Sequence, residues 1–291
     1  MKAPTDGPVR ELLAGLAGRP SVYFLPSPGN GGDALIDVGF FDLARSVGLA
    51  YRVIDSSAEL GAGDTLVIAG GGIFVPEYAY MATTLRRYAQ SVGRLVLLPQ
   101  TVRGHEDVLG LLDDRAHVFL REQTSLDYVA SVAPAAHPTF DHDMAFHADV
   151  AALRARRGLA GFRLSRGNVG RLALLTALKL NALTTRRLLA FRTDREAGGA
   201  AHARLARDVS KLTAFGTATE AQCRFAAAQF IQTIDRFAEV DTDRLHVAIA
   251  AALLGKPARL HDNSYFKNRA VYAASLEGTS VTMAHAATNS G

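Results

Sequence analysis

Short apolar runs that stop at glycine or proline alternate, along most of this chain, with longer segments of helical apolar spacing. Residues 21–25, 51–54, 65–69, 94–98 and 117–120 read as strands, the fourth stopped by Pro99. Residues 33–47, 78–92, 106–112 and 125–133 carry apolar side chains at helical intervals. A second series follows, with strands at 188–192, 237–240 and 258–261 and helices at 221–236, 243–254 and 268–276. Strands that alternate with helices build βαβ units and parallel sheets. The expected class is therefore α/β. The small, polar stretch 278–291 reads as a frayed tail.

The length of 291 residues is about twice that of a typical domain. The two series place one Rossmann-like domain at 1–150 and another at 188–291, facing each other across a cleft. A basic, partly helical connector covers 151–187. Such a cleft is the natural place for a ligand.

Composition narrows the function classes. Apolar residues make up 48% and charged residues 21%, as in ordinary globular chains. The single Cys223 forms no internal disulfide and no Cys-rich zinc site. The net charge of +4 hides an asymmetry. Residues 150–193 contain ten Lys and Arg and no Asp or Glu, which leaves 22 basic and 28 acidic residues elsewhere. A uniformly basic nucleic-acid surface is excluded, and no nucleic-acid partner is expected. The most apolar long stretch, 172–191, is interrupted by Lys179, Asn181, Arg186 and Arg187, so no transmembrane helix is expected. The first residues show no secretion signal. The expected location is the cytoplasm.

Three loops follow successive strands of the first series. Gly29-Asn30-Gly31-Gly32-Asp33-Ala34 fits the dinucleotide pattern G-x-G-x-x-A, with Asp55 21 residues further on. Two features point away from a nicotinamide site. Asp33 would fill the first helical turn with its own negative charge, and Pro26 and Pro28 lengthen the turn. Gly70-Gly71-Gly72 ends the third strand, and Pro99-Gln100-Thr101 ends the next. Loops at the carboxyl ends of parallel strands share one rim, where open α/β sheets bind ligands.

The second series carries the ionic candidates. In Thr242-Asp243-Arg244-Leu245-His246 a strand meets a helix, with Asp243 placed to cap it. Arg244 at a helix start implies an anionic ligand. His246 is suited to proton transfer near neutral pH. Arg192-Thr193-Asp194 and the pair Ser264 and Lys267 follow the neighbouring strands. Arg192, Arg244 and Lys267 thus converge on one anion, the arginines by bidentate geometry. The stretch Asp141-His142-Asp143-Met144-Ala145-Phe146-His147-Ala148-Asp149 lacks metal-ligand spacing, and no metal is expected.

These residues, taken in order, resemble the polysaccharide pyruvyl transferase family. The resemblance rests on GNGGDALI at 29–36, GGG at 70–72, LPQT at 98–101, REQTS at 121–125 and DHDMAF at 141–146. FRTDRE at 191–196, TDRLHVAIAAALLGKP at 242–257 and NSYFK at 263–267 continue it. It spans nearly the whole chain except 150–185 and the region 202–220. It implies a GT-B-like glycosyltransferase architecture. It also implies transfer of pyruvate from phosphoenolpyruvate to two hydroxyls of a sugar, giving a cyclic ketal and phosphate, with no cofactor. On this resemblance His246 is the expected general acid, with Asp33 or Asp143 as base. Arg192, Arg244, Ser264 and Lys267 are expected to hold phosphoenolpyruvate. Asn30, Gly71, Gly72 and Gln100 would face the acceptor, a lipid-linked oligosaccharide. The basic segment 154–187, with an interfacial helix at 172–183, would then meet an anionic membrane as a peripheral contact. A nucleotide-sugar glycosyltransferase, a nicotinamide oxidoreductase and a non-catalytic glycan- or membrane-binding protein remain the alternatives.

Overall fold

The computed structural model of the protein describes residues 6–193 and 207–284. Asp194 and the other residues of 194–206 lie outside the described residues, as does 285–291. Helix α1 (Pro8–Leu16) opens on a proline, whose fixed φ suits the first helical position. Its Val9, Leu13 and Leu16 recur at helical spacing and are buried.

The first sheet contains β1 (Val22–Leu25), β2 (Arg52–Val53), β3 (Thr65–Ile68), β4 (Gly71–Phe74), β5 (Arg94–Val102), β6 (Ala116–Leu120) and β7 (Thr139–Phe140). All its pairings are parallel, in the order β2-β1-β3-β5-β6-β7, with β4 also on β5. With β4 set aside, the order begins 2-1-3, as in flavodoxin-like sheets. It is not the 3-2-1-4-5-6 order of the dinucleotide-binding fold. The order reverses between β1 and β3, and ligands bind outside the carboxyl ends of strands at such a reversal.

Two sequence expectations need correction. The triple glycine does not simply end a strand: after Gly70 the chain runs into β4. Pro99 does not stop β5 either. It sits where the ladders are already broken: Ile68 pairs with Leu97, but the next partner on that flank is Gly71 with Gln100. On the other flank the register shifts between Leu97 and Gln100. A residue without an N–H is tolerated at such a break.

Alternation in the central strands separates two cores. Phe24, Val67, Val96 and Leu98 face one side of the sheet. Leu25, Leu66, Ile68, Leu95 and Leu97 face the other, against α3 (Tyr80–Tyr88), α4 (Glu106–Leu109) and α5 (Gln123–Val132). On the first side lies α2 (Gly31–Ser46), buried along nearly all its length.

The connecting segment forms α6 (Val150–Ala155) and α7 (Arg166–Asn181). The second sheet holds β8 (Arg187–Ala190), β9 (Glu239–Thr242), β10 (Ala258–Leu260) and β11 (Val281–Met283), all parallel, in the order β11-β10-β9-β8. Strand β11 corrects the expectation of a frayed tail from 278: Val281 is buried and pairs with Ala258. Its helices are α8 (Val209–Leu212), α9 (Glu220–Asp235), α10 (Leu245–Leu253) and α11 (Lys267–Val271), the last continuing as a π-helical turn through Leu276. Helix α2 packs on α9. One core therefore runs from Phe24 through Phe40, Phe230 and Val247 to Val240 and Leu260 in the second sheet. Among the described residues, no helix is long and apolar enough to cross a membrane.

Candidate active site

A cleft of about 340 Å³ opens where the carboxyl ends of the two sheets' strands meet. The first sheet supplies Asn30 and Asp33 after β1, Gly72 and Ile73 on β4, Tyr78 and Tyr80 beyond it, and Arg121 at the end of β6. The second supplies Arg192 after β8, Ser210 and Lys211 on α8, Arg244 and His246 after β9, and Lys267 at the start of α11.

The glycine loop is shaped by close contacts. Asn30 caps α2: its side chain accepts from the Gly32 N–H at 2.9 Å, while Asp33 accepts from the Asn30 N–H at 2.8 Å. This reciprocal capping satisfies two otherwise unpaired N–H donors. A Cβ on Gly31 would strike Thr213. One on Gly32 would lie 2.8 Å from His246 Cβ and 2.9 Å from its Nδ1. The helix start can press against α10 only because these side chains are missing. Gly72 serves similarly, since a Cβ there would come within 3.0 Å of Arg121 Nη2 and 3.4 Å of Lys267 Nζ.

His246 is backed by Asp143. Its Nε2 lies 3.4 Å from Asp143 Oδ2 and is shut from solvent. Asp143 is fully buried. It also accepts from Arg121 Nη1 at 2.6 Å and from the Ala145 N–H at 2.9 Å. Burial alone would raise its pKa. His246, Arg121 and the amide outweigh that and hold the carboxyl well below the usual range. Beside it, burial pushes Glu122 up to about 7, although Arg121 and the Ser125 and Thr101 hydroxyls oppose it.

Arg244 pairs with Asp208 at 2.5 Å, and its backbone N–H donates to Thr242 Oγ1 at 2.9 Å. Asp243 does not cap α10 as expected. Its carboxylate accepts the Arg192 backbone N–H at 2.7 Å and so fixes the loop after β8. Lys267 is buried, with its ammonium 5.0 Å from the Tyr265 ring centre. The cleft thus gathers five cations, Arg121, Arg192, Lys211, Arg244 and Lys267. Among the described residues one carboxylate, Asp33, lines it, while Asp143, Asp208 and Asp243 stand beside Arg121, Arg244 and Arg192. A recess with this excess of positive charge concentrates anions.

Of the residues expected from sequence, Asn30, Asp33, Gly72, Arg192, Arg244, His246 and Lys267 line this one cleft. Asp143 stands behind it. Gly71 and Gln100 are buried beneath the rim, and Ser264 is exposed outside the lining. Arg121, Tyr78, Tyr80, Ser210 and Lys211 escaped the sequence reading. Arg121 follows the apolar run of β6, so the strand-end rule applied to Gly70 and Gln100 would have found it. The others follow irregular segments and carry no such signal.

The 141–149 stretch is used structurally. Asp141 accepts from the Val9 N–H at 2.8 Å, Asp149 caps α6, and His142 Nδ1 meets Ser275 Oγ at 2.8 Å. Among the described residues no group of three or more metal-ligating side chains occurs. Asp55, the residue matching the ribose-binding acid, is exposed and bonds the Ser57 N–H of its own turn.

No protein-family model matches this sequence, and no curated protein matches it. Among solved structures, the chain is similar to the crystal structure of a protein described as uncharacterized, from Klebsiella pneumoniae subsp. pneumoniae. That likeness has 25% sequence identity and a TM-score of 0.77, and covers 96% of this chain and 97% of the other.

Proposed function

We propose that this protein is a pyruvyl transferase with a GT-B-like pair of domains. It takes phosphoenolpyruvate as donor and a sugar, carried on a lipid-linked oligosaccharide, as acceptor. The observation that carries the reading is the meeting of His246 with Arg121, Arg192, Arg244 and Lys267 in one cleft. The donor has a phosphate and a carboxylate, and several fixed cations suit such a ligand. The residues also resemble the pyruvyl transferase pattern in order. No cofactor or metal enters the proposal.

In the proposed reaction, the His246 imidazole gives a proton to the methylene carbon of phosphoenolpyruvate. The double-bond electrons form the new C–H bond and leave an oxocarbenium-like centre at C2. One sugar hydroxyl attacks C2 and releases its proton to Asp33, which lies on the same wall as Asn30 and Gly72. The C–O bond to phosphate then breaks, and phosphate leaves with the bonding pair. The second hydroxyl attacks C2 and gives its proton to the now neutral His246, closing the ketal, while the proton on Asp33 passes to the departing phosphate. Asp143 is assigned a positioning role, since it is buried and acts through His246.

The test is phosphate release from phosphoenolpyruvate with a panel of lipid-linked sugars, beside nucleotide sugars as rival donors. Release with at least one acceptor is expected, and His246→Ala should lower it by about 10²-fold or more. Turnover of nucleotide sugars without phosphoenolpyruvate, or full activity in His246→Ala, would overturn the assignment.

A further inference from the structure

All six exposed large apolar side chains among the described residues fall in one stretch of sequence: Leu159, Leu164, Val169, Leu174, Leu180 and Leu183. Leu164 and Leu183, which bracket α7, are 82% and 83% open. Helix α7 turns Asn168 and Leu175 inward, with Leu172 and Leu178 half-buried against the core. At about 100° per residue the exposed half of the helix is centred on Gly170, Ala173 and Ala177, with Val169 and Leu180 on one flank and Leu174 on the other. After Arg166 in the first turn, no charged side chain falls on that face. Lys179 is turned aside and donates to Gln229 Oε1 at 2.8 Å.

The charges stand at the two ends. Exposed Arg163 precedes the helix, exposed Arg166 is its first residue and exposed Arg186 follows it; Glu239 stands within electrostatic reach of Arg186. No acidic residue occurs anywhere from 150 to 193. An apolar helix face with a cationic border fits a surface that is apolar inside and negative outside. A second copy of this chain is a poor occupant. A two-fold contact would set the same arginines against each other. The helix is 16 residues, roughly 24 Å, so it lies along an interface and does not span one.

We infer that the outer face of α7, bordered by Arg163, Arg166 and Arg186, docks the protein on an anionic lipid bilayer. This surface stands independently of the reaction proposed for the cleft. It is nonetheless close to it, because α7 packs on α8, whose Ser210 and Lys211 line the cleft. Docking would therefore hold the cleft near the lipid headgroups.

The full-length protein is sedimented with vesicles of phosphatidylcholine alone or mixed with phosphatidylglycerol. Binding at least tenfold stronger to the anionic vesicles is expected, with a further loss as salt rises. Leu174→Glu with Leu180→Glu should weaken it at least tenfold, as should Arg163→Ala with Arg166→Ala and Arg186→Ala. Both sets change exposed side chains, and unchanged melting temperatures would establish that they fold. The chain has no tryptophan, so Leu180→Trp provides a reporter that sees only this face. Its emission should shift to the blue with anionic vesicles and stay put with neutral ones. Equal binding to both vesicle types, an unmoved Leu180→Trp emission, or a dimer in solution that Leu180→Glu dissolves would each overturn the inference.

Discussion

Two residues show how the site depends on what is absent and what is buried. Gly32 lies in the first turn of a helix, where alanine is normally at least as favourable. Here its missing Cβ leaves room for His246 at 2.8 Å. Gly32→Ala should thus displace the imidazole and cut phosphate release from phosphoenolpyruvate at least tenfold, at a stability cost of about 1–3 kcal/mol. A normal rate in a normally folded variant would show that the contact does not set the His246 position. Glu122 tests the electrostatics behind the cleft. Its carboxyl has an ordinary value of 4.5 and is pushed up to about 7 by burial. The folded state binds this proton more tightly than the unfolded chain does. The associated stability is full below the ordinary carboxylate range and is lost as pH rises through about 7. Glu122→Gln should therefore flatten the fall in unfolding midpoint between about pH 5 and 8, a difference of at most about 3 kcal/mol. Identical pH profiles for the two proteins would contradict the burial argument. Residues of this kind were only half legible in the sequence. Arg244, His246 and Lys267 stood at strand ends and declared themselves by charge. Asp143 was visible as a candidate, but its burial behind His246 was not. Arg121 was passed over because it belonged to no glycine loop.

At the scale of elements, apolar periodicity found the longer helices after β1 and the central strands, because burial on a fixed face repeats at a fixed interval, but it passed over α1 and α8. It failed where neighbours, not periodicity, decide the outcome. Strand β11 has three residues and forms because β10 offers an open parallel edge to Val281. Strand β7 has two, paired with Phe119 and Leu120. Pro99 looked like a terminator, and only the register break around it explains why β5 continues. Helix α2 carries the same lesson into a prediction. An interior Gly→Ala change in an exposed helix gains about 1 kcal/mol. At Gly39 the sign reverses, because a Cβ would collide with the Met144 carbonyl oxygen, a backbone atom with little freedom to move. Gly39→Ala should cost about 1–3 kcal/mol in denaturant unfolding. At Gly15 of α1, where a Cβ meets nothing within 4 Å, the same change should be neutral or stabilising. The pair of variants separates packing from helix propensity, and a stabilised Gly39→Ala would refute the close approach of α2 to the 144–147 turn.

For the molecule as a whole, two parallel sheets in 291 residues suggest two units that unfold separately. The packing argues otherwise. Helices α2 and α9 lie against each other in a core that includes Phe24 of the first sheet and Leu188, Val240 and Leu260 of the second. Polar ties reinforce the contact. Arg224 on α9 donates to Asp42 on α2 at 2.8 Å and to Glu220 at 2.7 Å. Neither sheet can unfold without exposing the apolar surface of α2 or α9, so the costs are coupled. Urea unfolding followed by far-UV circular dichroism and by tyrosine fluorescence should give one coincident transition. The cleft adds a ligand term to the same balance. Its cations come from both sheets, Arg121 from the first and Arg192, Arg244 and Lys267 from the second. An anion held by both binds only the intact pair. Phosphoenolpyruvate at about 100 times its dissociation constant should raise the stability of the single transition by about 2.7 kcal/mol. Arg192→Ala, which changes a cleft cation on the second sheet, should lose most of that gain. Two separated transitions, with phosphoenolpyruvate moving only one, would place the anion within a single half and break the link between shared core and shared site.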